Sequence, residues 1–351
     1  MLGWSAYHVA DSTGMVKLDA MENPWSLPES VRQAMALEMA RAPVNRYPDP
    51  ACTALKSALR SALGLPTSAP LLLGNGSDEL IQILCAAVAR PGAVVMGVEP
   101  SFVMYRVSAA AAGVRYVGVP LRADFSLDLA ALEAALAEHR PALLFLACPN
   151  NPTGNLFDRD QVLAVLAQAP GLVVVDEAYH AFARQTFLGD LTRFPNLLVM
   201  RTLSKLGLAG LRLGVLAGSE AWLSQLDKLR LPYNVNVLSQ LAAGVALGHL
   251  PVLEAQAAAI LEERALLARR LAALTGVEVF PSEANFLTFR VAGASAVFAG
   301  LLRRGVLIKN LGAAHPLLRD CLRVTVGTPD ENGRFLTALS EAIATKEEPH
   351  G

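Results

Sequence analysis

The sequence predicts an α/β protein whose larger part is a mainly parallel sheet covered by helices on both faces. Over the first two thirds of the chain, short apolar segments typical of buried strands alternate with amphipathic segments typical of helices. Because parallel strands need a crossover connection, this alternation indicates βαβ units. With 351 residues, of which 53% are hydrophobic and 17% charged, the chain can bury a sizeable core and is expected to form two domains.

The predicted large domain spans residues 25–240 and follows an irregular arm, residues 1–24. Amphipathic segments such as 78–88 and 127–138 are expected to be helices that connect the strands. The predicted strands of the sheet are residues 71–73, 94–98, 115–119, 143–147, 172–175, 197–201 and 213–217.

The pattern changes near residue 240, where we place a domain boundary. Residues 252–274 are rich in Ala, Leu, Glu and Arg and are typical of an extended helix. The sequence therefore predicts a smaller α+β domain over residues 241–345, on which the arm packs, and a disordered tail, residues 346–351. Its predicted strands are 285–289, 306–309 and 322–326, and its further helices are 294–304 and 330–344.

Composition and charge argue against several classes of function. The net charge is −1, with 30 basic and 31 acidic residues, and the chain has no basic patch of the kind that nucleic acid needs. No apolar run reaches membrane-spanning length, and the first residues lack a signal-peptide pattern. The four cysteines are far apart and the six histidines lack metal-ligand spacing. We therefore expect a cytoplasmic protein with reduced thiols, no metal, and no nucleic-acid or membrane partner.

The segment TLSKLGLAGLRLG, residues 202–214, is the most informative motif. It places Lys205 beside the hydroxyl of Ser204 and seven residues before Arg212. Apolar surroundings favour a deprotonated, nucleophilic amine, and a hydroxyl with a fixed cation suits a phosphate. Together they predict a Schiff base between Lys205 and pyridoxal phosphate. The alternative is a surface lysine in a glycine-rich loop.

Two further segments follow predicted strands, at the edge where open α/β sheets bind ligands. In VVVDEAYHAF, Asp176 is the candidate partner of a protonated pyridine nitrogen, and Tyr179 could donate to the cofactor's ring oxygen. In CPNNPTGN, a rigid turn brings the amide of Asn151 within reach of the same oxygen. The alternatives are a helix cap for Asp176 and a plain Asn-Pro turn.

A phosphate site is predicted where LLLGNGSDE opens the helix 78–88. Glycine before a helix N-terminus exposes backbone amides, so Gly76 and Ser77 are candidate phosphate ligands. Asp78 is included with them, although it could simply cap the helix. A dinucleotide loop is the rival interpretation, but the third glycine of GxGxxG is absent. One strand later, the ring of Tyr105 could stack on the pyridine, unless it is a core aromatic.

The order and spacing of these motifs resemble the fold-type I aminotransferases that use pyridoxal phosphate. From LDAMENP to the last helix the chain looks like the histidinol-phosphate aminotransferases, and RYPDP and RVTVGTPDEN separate that family from general aminotransferases. The resemblance implies a large cofactor-binding domain with a mainly parallel sheet and a smaller α+β domain. The segments that carry it are LLLGNGSDE, PSFVMY, CPNNPTGN, DEAYHAFA, RTLSKLGLAGLRLG, PYNVN and LRVTVGTPDEN.

The resemblance also implies roles for individual residues. Lys205 would bind the cofactor and later move the proton, and Arg323 would bind the anionic end of the substrate. Tyr47 would reach the cofactor phosphate of the other subunit of a homodimer. Tyr7, Asn23 and Asn285 would line the substrate pocket. The other cofactor contacts would come from Gly76, Ser77, Asp78, Tyr105, Asn151, Asp176, Tyr179, Ser204 and Arg212.

Three features depart from the family pattern. Met21 replaces a polar residue of the NENP motif of many relatives, and Lys309 stands where some have arginine. The loop from Lys205 to Arg212 is one residue shorter than in relatives that read SKAFALAGLR. These departures bear on the preference among substrates rather than on the cofactor chemistry.

The implied function is transamination in histidine biosynthesis, between L-histidinol phosphate plus 2-oxoglutarate and imidazole acetol phosphate plus L-glutamate. The alternatives on the same fold are an aromatic amino acid aminotransferase and a threonine-phosphate decarboxylase-like enzyme. A cofactor-sensing regulator would need a DNA-binding module ahead of the fold, and only about 24 residues precede it.

Overall fold

The computed structural model describes residues 10–347. Tyr7, predicted to line the substrate pocket, lies outside the described residues, as do residues 348–351 of the predicted tail. The α-helices are α1 (Glu29–Ala40), α2 (Thr53–Leu63), α3 (Ser77–Ala87), α4 (Met104–Ala111), α5 (Leu129–His139), α6 (Arg159–Gln168), α7 (Glu220–Leu226), α8 (Val237–Gly248), α9 (Leu250–Ala272), α10 (Ala294–Arg303) and α11 (Pro329–Glu347). The strands are β1 (Val16–Lys17), β2 (Leu71–Asn75), β3 (Val94–Glu99), β4 (Arg115–Pro120), β5 (Leu143–Ala147), β6 (Leu172–Asp176), β7 (Leu197–Thr202), β8 (Leu213–Ala217), β9 (Val277–Val279), β10 (Phe286–Val291), β11 (Val306–Leu307), β12 (Lys309–Asn310) and β13 (Cys321–Thr325).

Seven strands form one sheet in the order β2-β8-β7-β6-β5-β3-β4. All neighbouring pairs are parallel except those of β8, which runs antiparallel to both β2 and β7. The mainly parallel sheet and its seven predicted strands are therefore confirmed, each ending within two residues of its expected position. The apolar pattern does not reveal the reversed direction of β8, because a strand buried on both faces has the same composition in either direction.

The C-terminal part of the described chain contains a second sheet. Four antiparallel strands lie in the order β12-β13-β10-β9 and pack against α9 and α10. The predicted strand 306–309 is wrong as a single element: β12 belongs to this sheet, whereas β11 pairs in parallel with β1 near the N-terminus. The domain boundary near residue 240 stays a prediction.

Both faces of the seven-stranded sheet are covered, which explains why its strands are continuous apolar runs. In β5, Leu144 and Leu146 join the apolar cluster on one face, while Leu143 and Phe145 join the cluster on the other. Strand β6 is buried along its whole length, up to and including Asp176. The sheet thus brings a carboxylate to its carboxyl edge while keeping it away from solvent.

No single helix between residues 10 and 347 is long and apolar enough to cross a bilayer, although α8 and α9, which meet at 76°, reach that length and composition together. Within the same range, no cluster of three or more His, Cys, Asp or Glu side chains could hold a metal ion.

A buried ion pair ties the carboxyl edge of the sheet to the helical layer. Glu177, directly after β6, accepts hydrogen bonds from Nη2 (2.8 Å) and Nε (3.0 Å) of Arg201 in β7. Nη1 of Arg201 donates to the carbonyl of Leu63 at the end of α2 (2.6 Å). Thr186 and the amide of Phe187 donate to the same carboxylate. Each charge is buried and fully hydrogen-bonded, so this network holds the ends of β6 and β7 in fixed relative positions.

We expect Glu177→Gln to lower the free energy of unfolding by about 3–5 kcal/mol, because Arg201 would keep a buried charge without a counter-ion. Glu278→Gln is the matched control, since its ion pair with Arg290 is partly exposed and should contribute about 1 kcal/mol or less. Urea unfolding of both variants measures the difference. Equal losses in the two variants would contradict a structural role for the buried pair.

Candidate active site

The predicted site residues meet at the carboxyl edge of the large sheet. Lys205 follows β7, Asp176 ends β6, and Asn151 follows β5, so three neighbouring strands each contribute one residue. All three line one pocket together with Tyr179. The other residues that line it are Met21, Phe102, Tyr105, Ala147, Pro149 and Ala178. The pocket therefore has mostly apolar and aromatic walls and a few convergent polar groups.

Lys205 is held inside this pocket as an amine of reduced basicity. Its Nζ donates to the carbonyl of Ala20 (3.2 Å) and lies 5.9 Å from the centre of the Tyr179 ring. Burial lowers the pKa of Lys205 to about 8, and the positive charge of Arg323 acts in the same direction. A lysine with this pKa carries a substantial neutral fraction near pH 7–8, so it can act as a nucleophile or a base.

Asp176 is buried and lines the same pocket as Lys205. Its Oδ2 accepts from the hydroxyl of Tyr105 (2.7 Å) and its Oδ1 from the amide of Ala178 (3.0 Å). Burial raises the pKa of Asp176 to about 6, although both hydrogen bonds oppose this shift. A carboxylate in such surroundings is stabilised by a nearby cation, such as a protonated ring nitrogen.

Tyr105 lines the pocket and is also packed into the apolar core. Its ring stacks on Phe145 with centres 4.5 Å apart and planes 2° apart, and the side chain has no exposed surface. Phe145 thus covers one face of the ring, and the hydroxyl donates to Asp176 (2.7 Å); the stacking of Tyr105 on a ligand ring stays a prediction. The aromatic residue that sequence reasoning missed is Phe102, which is partly exposed and lines the pocket. Its position directly after Pro100-Ser101, at the end of β3, was the available signal.

A separate corner of the site suits a phosphate. Nη1 of Arg212 donates to Oγ of Ser204 (3.4 Å), and Nη2 lies 3.4 Å from Oδ2 of Asp78. The start of α3 adjoins this corner because its N-cap is Gly76. A Cβ at Gly76 would lie 2.5 Å from Nη2 of Arg212, so a side chain there would push the guanidinium away from its present position. Backbone amides at the start of a helix, a hydroxyl and a guanidinium together match an anion.

Asp78 and Ser77 occupy the first turn of α3, as the sequence predicted. The carboxylate of Asp78 pairs with Arg212 and so orients the guanidinium. Its negative charge also lies in the first turn of α3, where it interacts favourably with the helix dipole. The contacts of Ser77 and Asp78 with a cofactor stay predictions.

Arg323 joins the second sheet to the large one. Its Nη1 donates to Oδ1 of Asn151 (2.5 Å), its Nη2 to the carbonyl of Asp19 (3.0 Å), and the guanidinium lies 5.3 Å from the centre of the Phe286 ring. Although Arg323 is 172 residues from Asn151 in sequence, the fold brings them into direct contact. A buried cation with a planar fork is thus available beside the pocket for an anionic ligand group.

Two residues predicted to line the substrate pocket, Asn285 and Asn23, make hydrogen bonds within the protein. Asn285 is completely buried and donates to the carbonyl of Met21 (2.9 Å). Asn23 donates to Gln256 (2.9 Å) and accepts from the amide of Trp25, at the side of the site. Their contacts with substrate stay predictions.

Tyr47 lies on the surface rather than in the pocket of its own chain. Its side chain is 79% exposed, and its ring stacks on Tyr233 with centres 4.4 Å apart. This position is compatible with a contact across subunits, which stays a prediction.

Comparison with known proteins identifies the class. Residues 13–339 match the family described as "Aminotransferase class I and II". A structure of histidinol-phosphate aminotransferase from Sinorhizobium meliloti in complex with pyridoxal-5'-phosphate superposes with a TM-score of 0.86 at 29% identity, covering 94% of this chain and 91% of that one. The fold and the site therefore define a class I and II aminotransferase, which confirms the predicted fold class.

The curated relatives narrow the family further. A histidinol-phosphate aminotransferase of Chromobacterium violaceum is 55% identical over 334 residues, covering 95% of this chain and 94% of the relative. Histidinol-phosphate aminotransferase 2 of Cupriavidus pinatubonensis is also 55% identical, over 343 residues, with 96% and 94% covered. The chain belongs to the histidinol-phosphate aminotransferase family, and the family predicted from its motifs is confirmed.

We expect Gly76→Ala to weaken the binding of inorganic phosphate to the cofactor-free protein by about tenfold or more, because the new methyl group displaces Arg212. Gly64→Ala is the control for an alanine at positive φ, since Gly64 has φ 60° and a Cβ there meets nothing within 4 Å. Gly76 has φ 84° and ψ 163°, a region essentially restricted to glycine, so Gly76→Ala should lose more stability, and only it should lose phosphate affinity under conditions where both variants are folded. Isothermal titration with phosphate measures this, and equal affinities in the two variants would contradict the assigned corner.

Proposed function

We propose that this protein transfers an amino group between L-histidinol phosphate and 2-oxoglutarate, giving imidazole acetol phosphate and L-glutamate, with pyridoxal 5'-phosphate as cofactor. The reaction belongs to histidine biosynthesis. The observation that carries the proposal is the convergence of Lys205, Asp176 and Asn151 in one pocket, with Arg323 bonded to Asn151. A reactive amine, a ring partner and an anion receptor are the three groups that this reaction needs.

The residues present fit the cofactor. The corner formed by Gly76, Ser204 and Arg212 would hold its phosphate, and a side chain at position 76 would fill that corner. Asp176 would face the ring nitrogen, and Asn151 and Tyr179 the ring oxygen. When bound, the cofactor supplies an electron sink for the bond that breaks at the substrate carbon. Phe102, an aromatic side chain that lines the pocket, would cover the ring face.

Lys205 carries the proton transfers in this proposal. To react, its Nζ leaves the carbonyl of Ala20, to which it donates in this structure. The neutral amine then removes the proton from the substrate carbon that bears the amino group, and later returns a proton. Because its pKa is about 8, Lys205 can accept and release that proton close to neutral pH. Asp176 stays ionised against the ring nitrogen and keeps the charge distribution that favours this transfer.

Arg323 is suited to two chemically different donors. Histidinol phosphate offers a phosphate and no carboxylate, whereas glutamate offers two carboxylates. A guanidinium binds either oxyanion with the same pair of N–H groups. Lys309 lies opposite Arg323 in the register of β12 and β13, so a second positive charge stands on the neighbouring strand. Charge rather than ring shape would therefore recognise the anionic end of both donors.

We further propose a cytoplasmic homodimer in which Tyr47 reaches the phosphate corner of the partner. The large exposure of Tyr47 supports this proposal, as does an exposed apolar surface on the same side as Tyr233. Leu229 and Leu231 stand in that stretch of chain, and Leu231 is 70% exposed. The four cysteines are all free and buried, which fits a reducing compartment.

We expect histidinol phosphate to bleach the visible absorbance of the cofactor-loaded protein in a single turnover, and 2-oxoglutarate to restore it. Glutamate should bleach the same band, and phenylalanine should do so much less efficiently. Lys205→Ala is the control: it should show no lysine-bound band and react at least about a hundredfold more slowly. Preferential bleaching by phenylalanine would favour the aromatic aminotransferase. Carbon dioxide release without consumption of the keto acid would favour the decarboxylase.

A further inference from the structure

Met21 has a backbone conformation that methionine rarely adopts. Its φ is +53°, in the left-handed region where the side chain of an L-residue approaches its own backbone. Glycine occupies this region freely, and asparagine does so more readily than other residues. A methionine there shows that the surrounding structure imposes the conformation.

Hydrogen bonds hold the backbone at this position from both sides. The amide of Met21 donates to Oγ1 of Thr325 (2.9 Å), and its carbonyl accepts from Nδ2 of Asn285 (2.9 Å). The preceding carbonyl, of Ala20, accepts from Lys205, and the one before it, of Asp19, accepts from Arg323. Strained conformations persist where neighbours determine them in this way, and they cluster at functional sites.

The imposed conformation directs Met21 into the reaction pocket. Met21 is 9% exposed and lines the pocket beside Phe102 and Lys205. It also belongs to an apolar cluster with Tyr179 and Phe182. The hydrogen bonds to Thr325 and Asn285 fix the backbone and therefore the direction of the Cα–Cβ bond of Met21, and the apolar cluster packs against the side chain.

We propose that Met21 is a specificity-determining residue that favours ring-bearing amino donors over glutamate. The inference rests on the proposed function, because it concerns how the two donors are distinguished. Arg323 binds the anionic end of both, so it cannot separate them. Histidinol phosphate carries a flat imidazole ring where glutamate has only a short chain. A flexible, polarisable thioether makes favourable contacts with aromatic rings and gives a carboxylate no partner.

Three substitutions separate the effect of the Met21 side chain from the effect of its strained backbone conformation. Met21→Gly and Met21→Asn both tolerate the left-handed conformation and remove the thioether, whereas Met21→Leu keeps the apolar bulk and the strained backbone. The quantities to measure are kcat/KM for the half-reactions of histidinol phosphate and glutamate. A melting temperature of the cofactor-free protein reports the structural effect independently of activity.

We expect kcat/KM for histidinol phosphate to fall about three- to tenfold in Met21→Gly and Met21→Asn, with glutamate changed less than about twofold. Met21→Leu, which keeps the apolar bulk but lacks the sulfur, should lose about two- to threefold with histidinol phosphate and stay within about twofold for glutamate. The melting temperatures of the Gly and Asn variants should be lower than that of the unchanged protein, because the loss of a buried apolar side chain outweighs the relief of backbone strain.

Equal losses with both donors, or unchanged values in all variants, would overturn the role of Met21 while leaving the proposed function intact. If the unchanged protein does not react with histidinol phosphate at all, the proposed function fails, and this inference fails with it.

Discussion

The burial of one amine and one carboxylate at the carboxyl edge of the sheet is the constraint on which the chemistry depends. Desolvation lowers the pKa of Lys205 to about 8 and raises that of Asp176 to about 6. In both cases burial disfavours the charged form of the side chain, and the pKa shifts accordingly. The amine is therefore available as a base, and the carboxylate gains from a cationic partner. Neither property would survive at an exposed strand end, so the fully buried strands β6 and β7 are a requirement of the site.

Charged groups in an apolar layer need hydrogen-bond and ion-pair partners from other parts of the fold, because burial penalises an unpaired charge. The buried pair of Glu177 and Arg201 is one such contact, and it joins the ends of β6 and β7 to α2. The segment from Asp19 to Met21 provides further contacts, because its backbone carbonyls accept hydrogen bonds from Arg323, Lys205 and Asn285. The site is thus assembled from the N-terminal segment, the large sheet and the second sheet, and all three must fold together.

The sequence predicts the sheet and its edge well because buried parallel strands are continuous apolar runs, and the polar residues that follow them converge. This pattern predicts the convergence of Lys205, Asp176 and Asn151. It does not predict the direction of β8, since the composition of a buried strand is the same in either direction. The contacts of Tyr105 with Phe145 and Asp176 are not readable from the sequence, because both partners are distant in the chain. The left-handed conformation of Met21 is imposed by Thr325 and Asn285, which are distant in sequence.

Covalent trapping tests the central claim most directly. The protein is incubated with pyridoxal 5'-phosphate, reduced with borohydride, digested and mapped by mass spectrometry across pH 6 to 10. We predict that the label lies on Lys205 and that labelling rises as the amine deprotonates around pH 8, given its pKa of about 8. Labelling that is spread over surface lysines such as Lys228, or that rises only near the pKa of an ordinary lysine, would contradict the account.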